Sequence, residues 1–450
     1  MAPCGALGCH NKTMTAAGCE DMCKATKGCE AYVFAAQTCN SGTAICWQKS
    51  HCNPLPTKQC RAIAQAKGSP ARPAQPAEPA GPGADIPSKY ALDVSAASTP
   101  LVAYPQPQMV RGAGPTIATL REVGDPSTWT NLNGLWEWEA TANTGLPTGT
   151  WVGAPPFGKP LSGSILVPFP VESCLSGVAP NSSAAMVKSS SMWYRLTFNA
   201  KVTAGHATLL HFGAVDWRST GFLNGQQIGN NTGGYNGFDY DITGGVKPSG
   251  NELLVFVFDP SDGGEQPNGK QRISAIDNPG GDTYTSSSGI WQTVWLEEAP
   301  ADYIKDIKID QASTTAVTVT VESTGSAPVT FTVMDAGKSV ATASGTAGTK
   351  IGITVPSPKL WSTTSPHLYD LEVKVGADTV TAYFGLRTYK LGDGPKGKRP
   401  LLNGKFTFAA GFLDQSWWPD GQYTVPTDEG LAYDVAAVEC KCQLFPIFFH

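Results

Sequence analysis

The stretch Leu253 to Phe258 reads Leu-Leu-Val-Phe-Val-Phe, an uninterrupted apolar run with the length of one β-strand. Such a run predicts a strand that is covered on both sides, because a strand with one face in water would alternate apolar and polar residues. Upstream, Phe222 to Ile228 contains Asn224-Gly225 between two strand halves, the strongest short signal of a β-hairpin. Further short strands with turns between them, and no helical period, predict a β-sandwich over residues 128–300.

A second group of strands follows in residues 301–393. Val317, Val319 and Val321 recur at every second position. Apolar residues alternate in the same way from Val329 to Val333. Side chains two residues apart on a strand share one face, so this pattern predicts a half-buried antiparallel sheet. The unit has about the size of an immunoglobulin-like sandwich, although it lacks that fold's Cys…Trp…Cys pattern.

The pattern changes again in residues 394–450. Lys405 to Gly411 reads as a short strand, residues 412–426 as a loop containing Trp and Asp, and Thr427 as the N-cap of a helix. Strand, loop and helix form the first unit of a β/α fold, and a (β/α)8 barrel takes about 250 residues. We therefore expect only the truncated start of a barrel, with apolar side chains facing water. The last ten residues fit no second barrel strand.

The first 60 residues contain nine of the 12 cysteines. This density predicts a disulfide-rich module over residues 1–65, and hence an oxidising compartment. Zinc is the alternative, but it would favour Cys-x2-Cys knuckles, and the tightest spacing here is Cys19-x3-Cys23. Three N-glycosylation sequons agree with an extracellular or secretory location, although no signal peptide is visible. Residues 66–127 follow as a Pro-, Ala- and Gly-rich linker that we expect to be poorly ordered.

Composition argues against several classes of function. With a net charge of −5 and no cluster of Lys and Arg, a nucleic-acid partner is not expected. No run of 18 apolar residues exists, so no membrane span is expected. The six histidines show no ligand spacing, and no phosphate-binding or dinucleotide motif occurs, so neither a metal nor a cofactor is expected. The 12 tryptophans and 13 tyrosines could stack on sugars, although most are expected in sandwich cores.

Short motifs, in this order, resemble glycoside hydrolase family 2. Residues 128–300 carry motifs of its sugar-binding jelly-roll domain, namely Leu132-Asn133-Gly134-Leu135-Trp136, Ile165 to Ser173, Trp193-Tyr194-Arg195, Gly213 to Trp217, and Ser288 to Glu297. The motifs of its immunoglobulin-like domain and of its barrel entry are Leu360-Trp361-Ser362, Phe384-Gly385-Leu386-Arg387, and Leu401 to Lys405. The resemblance implies a mainly β chain of jelly-roll and immunoglobulin-like sandwiches. It also implies that the intact enzyme hydrolyses O-glycosyl bonds of β-linked sugars, such as β-galactosides, β-mannosides or β-glucuronides.

The cysteine-rich module resembles a PAN/apple domain. The residues that carry this resemblance are Cys19-x3-Cys23, Gly28 to Phe34, Cys39 and Cys46-Trp47. It implies disulfides among Cys19, Cys23, Cys29, Cys39 and Cys46, with Cys23 paired to Cys29 and Cys19 paired to Cys39 or Cys46. Domains of this kind bind protein or carbohydrate, which would place the protein on a cell-wall or matrix polymer. A disulfide knob with a purely structural role is the alternative.

Retaining glycosidases need two carboxyl groups ~5–5.5 Å apart. The family resemblance places both on barrel strands four and seven, which do not occur in these 450 residues. The sequence therefore predicts no catalytic residue here, and no hydrolysis by this chain alone. A non-catalytic extracellular carbohydrate-binding protein is the alternative function.

The resemblance also implies a sugar-binding site. Asp414, Trp417 and Trp418 follow the first barrel strand, on the face where barrel active sites form. Asp282 and Tyr284 lie on a sandwich loop that is expected to reach towards the barrel. We expect these five residues to contact a β-linked glycan, and no motif selects the sugar. A packed loop, in which Asp414 caps backbone N–H groups, is the alternative.

Overall fold

A computed structural model gives the fold of the central part of the chain. It describes residues 6–10, 31–35, 45–49, 62–66, 110–111, 129–141, 154–173, 175–178, 190–275, 282–394, 397–408, 411–413, 415–418, 421–425 and 447–449. Within these ranges the elements are β-strands, apart from the 3₁₀-helix Ile273–Ala275. The expectation of a mainly β chain is confirmed. The helix predicted from Thr427 lies outside the described residues.

The N-terminal region contributes five short strands. They are β1 (Ala6–His10), β2 (Ala31–Ala35), β3 (Ile45–Lys49), β4 (Ala62–Ala66) and β5 (Val110–Arg111). The first four form an antiparallel sheet in the order β1-β3-β2-β4. Cys46 lies on β3, while Cys19, Cys23, Cys29 and Cys39 lie outside the described residues. The disulfide pairing therefore stays a prediction.

The first sandwich follows, and its strands are numbered along the chain. They are β6 (Trp129–Asn131), β7 (Gly134–Ala140), β8 (Gly163–Val167), β9 (Ser191–Phe198), β10 (His206–Phe212), β11 (Val215–Asp216), β12 (Arg218–Leu223), β13 (Gln226–Thr232), β14 (Phe238–Asp241), β15 (Asn251–Phe258), β16 (Gln271–Arg272), β17 (Tyr284–Thr285), β18 (Gly289–Ile290) and β19 (Val294–Pro300). Its main sheets have the orders β13-β12-β15-β9-β7-β8 and β14-β10-β19-β6, and their facing side chains form one apolar core.

Two features predicted from the sequence of this sandwich are confirmed. All six side chains from Leu253 to Phe258 are buried. Leu253, Val255 and Val257 enter the core between the sheets, while the alternate residues pack under an outer layer that includes Phe157 and Phe222. The turn between β12 and β13 consists of Asn224 and Gly225, both with positive φ (51° and 93°), as a two-residue hairpin turn requires.

The second sandwich begins directly after β19. Its strands are β20 (Ile304–Gln311), β21 (Ala316–Ser323), β22 (Pro328–Asp335), β23 (Lys338–Thr346), β24 (Ile351–Thr354), β25 (Tyr369–Val375) and β26 (Asp378–Phe384). A sheet β20-β21-β24 faces a sheet β23-β22-β25-β26-β5. The alternating residues Val317 to Val321 and Val329 to Val333 fill the core between them, as the period of two predicts.

The strand β5 belongs to this second sandwich, although it comes from the region expected to be a poorly ordered linker. Val110 and Arg111 pair with Thr381 and Val380 at the edge of the five-stranded sheet. The Arg111 side chain is buried between the two sandwiches, where it contacts acidic groups from both. A two-residue strand has no periodic pattern, so the sequence alone did not predict it.

The C-terminal region contains short strands only. They are β27 (Tyr389–Gly394), β28 (Gly397–Leu402), β29 (Lys405–Phe406), β30 (Gly411–Leu413) and β31 (Ile447–Phe449). The predicted strand from Lys405 to Gly411 is divided, because β29 stays with the hairpin of β27 and β28 and a new strand begins at Gly411. Among the last ten residues the structure describes only β31, which pairs in parallel with β30. Phe406 and Phe408 are exposed, as expected.

Candidate functional site

One end of the first sandwich meets the C-terminal part of the chain. The strands β16 and β17 pair in parallel there, with Gln271 opposite Tyr284. The loop that follows β17 carries three buried serines, Ser286, Ser287 and Ser288. The C-terminal segments 415–418 and 421–425 contact this end of the sandwich through side chains that are more than a hundred residues apart in sequence.

Five aromatic side chains form a continuous cluster at this junction. The aromatic cluster consists of Tyr235, Tyr284, Trp291, Trp417 and Tyr423. The rings of Tyr284 and Trp417 are stacked, with centroids 4.8 Å apart and planes inclined by 20°. Trp417 meets the edge of Tyr423 at 4.7 Å, and Tyr423 lies 5.3 Å from Trp291. Tyr235 is 43% exposed, so the cluster presents aromatic surface to water, on which an apolar face of a ligand can stack.

Side-chain hydrogen bonds attach the C-terminal segments to the sandwich. The Tyr284 hydroxyl donates to Oε1 of Gln415 at 2.6 Å. The Ser287 hydroxyl donates to Oε1 of Gln422 at 3.2 Å, and both of these residues are buried. Buried polar groups without partners are costly, so each of these contacts favours the docked position of the segments.

Thr424 makes the deepest of these attachments. Its hydroxyl lies 2.9 Å from the carbonyl oxygen of Pro168 and 2.6 Å from that of Trp291. Thr424 is 1% exposed. A tight turn precedes it, in which the backbones of Trp418 and Gln422 are hydrogen-bonded in both directions. The 421–425 segment is therefore held by its own turn and by the sandwich.

Gln271 connects several parts of the junction. Its Nε2 donates to Oδ2 of Asp216 at 3.1 Å and to the hydroxyl of Tyr235 at 3.2 Å. Its Oε1 accepts a hydrogen bond from the backbone N–H of Ser287 at 2.6 Å. Gln271 is buried. Through these hydrogen bonds its amide links a carboxyl group inside the sandwich to the aromatic cluster.

Three acidic side chains lie buried behind the aromatic cluster. This carboxyl cluster consists of Glu172, Asp216 and Asp259. Burial raises the pKa of Glu172 to about 7, and Asp259 contributes further by repulsion. Burial likewise raises the pKa of Asp259 to about 6 and that of Asp216 well above its usual range. Burial also raises the pKa of Tyr235 and of Tyr423, so both stay protonated at neutral pH.

Two models of known protein families match this chain, one over each sandwich. The model of the sugar binding domain of glycosyl hydrolases family 2 matches residues 131–300. The model described as glycosyl hydrolases family 2 matches residues 296–387. The two matches together span more than half of the chain. The chain belongs to glycosyl hydrolase family 2.

Relatives within family 2 include enzymes named for different sugars. The β-galactosidase BoGH2A of Bacteroides ovatus is 31% identical over 243 residues, which are 48% of this chain and 26% of that protein. A β-glucuronidase of Paenibacillus borealis is 25% identical over 305 residues, 63% of this chain and 48% of that protein. The chain thus spans about a quarter to a half of the length of these family 2 relatives.

Solved structures of two β-glucuronidases share the fold of this chain. The Faecalibacterium prausnitzii β-glucuronidase is 26% identical, with a TM-score of 0.54 over 69% of this chain and 54% of that one. The Ruminococcus gnavus β-glucuronidase in complex with a C6-substituted uronic isofagomine aligns with a TM-score of 0.54, at 22% identity, over 69% of this chain and 53% of that one. The likeness shows that this chain shares their fold.

The structure brings together two of the five residues that the family 2 resemblance implied for sugar binding. Tyr284 and Trp417 are in direct contact. Trp418 is the half-buried neighbour of Trp417, and Asp282 is exposed two residues before Tyr284. Asp414 lies outside the described residues. Their roles in binding stay predictions.

Sequence reasoning missed the polar residues of the junction. Glu172 and Asp216 lie within motifs of the family 2 resemblance, but the motifs assign no role to a side chain. Asp259 follows the apolar run 253–258 directly, and a charge at the end of a buried strand is a usable signal. Gln271 and Thr424 stand in loop-like sequence without any pattern, so only the structure reveals them.

Within the described ranges, no group of three or more His, Cys, Asp or Glu side chains is arranged to hold a metal ion. No helix in those ranges is long and apolar enough to cross a membrane.

Proposed function

We propose that the protein acts as a β-glycosidase of family 2, in which these residues supply two non-catalytic sandwiches and part of a sugar-binding site. The single observation that carries the site is the stack of Tyr284 on Trp417. It joins the sandwich to the segment that follows the predicted first barrel strand. The relatives named β-galactosidase and β-glucuronidase support a β-linked sugar as the ligand class.

The chemistry of the junction suits a sugar ring. Tyr235, Trp291 and Trp417 provide aromatic surface for the C–H face of a pyranose. Gln415, whose Oε1 accepts from the Tyr284 hydroxyl, carries amide N–H groups of the kind that donate to sugar oxygens. The two glutamates that family 2 uses for hydrolysis are predicted outside these 450 residues. We therefore expect this chain alone to bind a β-glycoside without cleaving it.

Calorimetric titration with methyl β-galactoside, methyl β-glucuronide and methyl β-mannoside tests the site. One of the three should bind, and Trp417→Ala should weaken that binding about tenfold, because one aromatic contact is worth ~1 kcal/mol or more. Tyr389→Ala is the matched control, since Tyr389 is an exposed aromatic residue outside the junction. Equal losses in both variants, or turnover of 4-nitrophenyl β-glycosides by this chain, would contradict the proposal.

We also propose that residues 1–65 form an oxidised module that holds an extracellular enzyme on a cell-wall or matrix polymer. The support is the density of cysteines in the sequence and the PAN/apple resemblance. Mass spectrometry of the unreduced protein tests the first step, and nine free thiols in this segment would exclude it. A pull-down on insoluble wall polysaccharide, compared with a chain that starts at residue 66, tests the second.

A further inference from the structure

The carboxyl cluster has little to neutralise it. Glu172, Asp216 and Asp259 are 2%, 3% and 3% exposed. Within the described ranges, no Lys, Arg or His forms an ion pair with any of the three. Arg272 pairs instead with Asp262, its Nε lying 3.9 Å from Oδ2 of that residue. Charging all three buried groups would be costly, because each would lose its hydration without gaining a counterion.

Other titratable groups around the carboxyl cluster do not supply a positive charge. Asp262 raises the pKa of Asp259 by repulsion, after the larger effect of burial. Tyr194, Tyr235 and Tyr423 face the cluster from three further elements, and burial raises the pKa of each. These phenols are neutral in the range in which carboxyl groups titrate. Protons are therefore the available means of neutralising the cluster.

Two of the carboxyl groups in the cluster have an oxygen that accepts no hydrogen bond and could therefore carry a proton. Oε2 of Glu172 accepts from the N–H of Ser288 at 2.9 Å, and Oδ1 of Asp259 accepts from the N–H of Ser261 at 2.7 Å. The other oxygen of each carboxyl group is buried without a hydrogen-bond partner. The Ser288 hydroxyl lies beside Glu172 and Asp259 but makes a hydrogen bond of normal geometry with neither. A protonated carboxyl group adds the donor that this arrangement lacks.

A short chain of hydrogen bonds leads from the carboxyl cluster to the C-terminal segment. Asp216 accepts from Gln271, and Gln271 accepts from the backbone of Ser287. The Ser287 hydroxyl donates to Gln422 in the 421–425 segment. The next residue, Ser288, is bonded through its backbone to Glu172. The Ser287–Ser288 pair thus touches the carboxyl cluster on one side and the C-terminal segment on the other.

We propose that the carboxyl cluster positions the 421–425 segment, and with it the aromatic cluster, in a pH-dependent way. While the carboxyl groups hold their protons, the Ser287–Ser288 loop stays in place and the segment is docked. When protons leave to solvent, repulsion among the three groups and the entry of water shift this loop, and Gln422 loses its partner. Gln271 and Ser287 act as positioning residues. The proposal rests on the proposed function only for its effect on sugar binding.

The direction of the pH dependence follows from the raised pKa values. Glu172 and Asp259, with pKa values of about 7 and about 6, lose protons between mildly acidic and neutral pH. The docked segment is therefore favoured at about pH 5 and weakened at about pH 8. A glycoside ligand that uses the aromatic cluster should bind more tightly in acid, by about three- to tenfold.

The test follows the position of the segment without any ligand. Hydrogen exchange of the peptide that contains residues 421–425 and the fluorescence of the nearby tryptophans are measured from about pH 5 to about pH 8. We expect exchange to rise, corrected for its intrinsic pH dependence, and the fluorescence to shift, with a midpoint near pH 6–7. Glu172→Gln, which keeps the shape of a protonated carboxyl group, should abolish or strongly flatten the change. Asp239→Asn, an exposed acidic residue of the same sandwich, should leave it intact.

A second variant keeps the proposal testable if Glu172→Gln folds poorly. Ser287→Ala removes the hydroxyl that reaches Gln422 but no contact of the carboxyl cluster. It should raise exchange of residues 421–425 at about pH 5 to the level of the unmodified protein at about pH 8. The proposal is overturned if the pH profile of this segment is the same in all variants. Failure to bind any sugar would refute the proposed function alone, because exchange is measured without ligand.

Discussion

Two clusters of buried ionisable side chains lie where distant parts of this chain meet, and the charges of their carboxyl groups are neutralised in different ways. Between the two sandwiches, Nε of Arg111 lies 2.9 Å from Oε1 of Glu297, its Nη1 pairs with Asp378, and its Nη2 donates to the carbonyl oxygen of Ile304 at 2.8 Å. His211 lies 3.0 Å from the other oxygen of Glu297. At the other junction, Glu172, Asp216 and Asp259 are buried, and no cation of the described residues pairs with them.

The comparison shows that burial alone does not set the charge of a carboxyl group. Burial tends to raise the pKa of Glu297, but the hydrogen bond to His211 and the charge of Arg111 outweigh it, and the pKa is lowered. Glu172 is more deeply buried than Glu297, and without such a cation among the described residues its pKa rises to about 7. The first junction is therefore ionised and fixed at neutral pH, while the second depends on protons.

The largest effect is expected from breaking the first junction. Arg111→Met removes the cation that Glu297 and Asp378 share, and leaves Glu297 with His211 and Asp378 with the backbone N–H of Ile304. Removing one partner of a buried ion pair typically costs about 3–5 kcal/mol, so we expect the free energy of unfolding to fall by that amount. Urea denaturation at neutral pH, followed by tryptophan fluorescence, measures it. The same experiment on Lys398→Met, which breaks an exposed pair with Asp393, should show less than about 1 kcal/mol.

A loss of less than about 1 kcal/mol in Arg111→Met would mean that the two sandwiches do not depend on this arginine. In that case β5 would be an accessory strand. The contrast between the two junctions would then be one of pKa only.

Glu172 is expected to make the stability of the folded protein depend on pH. Glu172 binds its proton more tightly in the folded protein, with a pKa of about 7 against a reference value of 4.5. Its contribution to stability is therefore complete below about pH 4.5 and is lost as the pH rises through about 7. Glu172→Gln should be more stable than the unmodified protein at about pH 8 by about 2–4 kcal/mol, and close to it at about pH 4.5. Urea denaturation across this range measures the difference.

Glu297→Gln is expected to change the stability of the protein in the opposite direction. The pKa of Glu297 is lowered in the folded protein, so its contribution is present above the unfolded value and is lost in acid. This variant should be less stable than the unmodified protein at neutral pH. If both glutamine variants shift stability in the same direction at about pH 8, the distinction between the junctions is wrong.

The smallest effect concerns the attachment of the C-terminal segment. Thr424→Val removes a buried hydroxyl that reaches the carbonyl oxygens of Pro168 and Trp291, while nearly conserving volume. We expect a loss of about 1–2 kcal/mol, seen as faster hydrogen exchange in residues 421–425. Thr349→Val is the control, because its hydroxyl bonds to Thr346 at an exposed turn. Equal exchange in both variants would show that the turn alone holds this segment.

The two sandwich cores were predictable because their signals are local and periodic. The run Leu253–Phe258, the Asn224-Gly225 turn and the alternating valines from Val317 each specify a strand or a turn from neighbouring residues. Part of the candidate site was predictable as well. Tyr284 and Trp417 were singled out by the family resemblance, and their rings are stacked.

Other contacts were not predictable, because the partners are far apart in sequence and each is an ordinary residue where it stands. Arg111 meets Asp378 across 267 positions, and Thr424 meets Pro168 across 256. Gln271 reads as a loop residue, and its position beside Asp216 and Tyr235 makes it a link between the carboxyl cluster and the aromatic cluster. The strand expected from Lys405 was divided because the hairpin β27–β28 offered its start a backbone edge.

By itself, the amino-acid sequence determined which stretches become strands, which face of each strand is buried, and which family the two sandwiches belong to. These properties depend on the order of apolar and polar side chains over a few residues, and on turn residues that permit positive φ. The tertiary structure alone decided which acidic groups are ionised. Glu172 and Glu297 have the same chemistry, but Arg111 and His211 beside Glu297 lower its pKa, while deep burial and the nearby Asp259 raise that of Glu172.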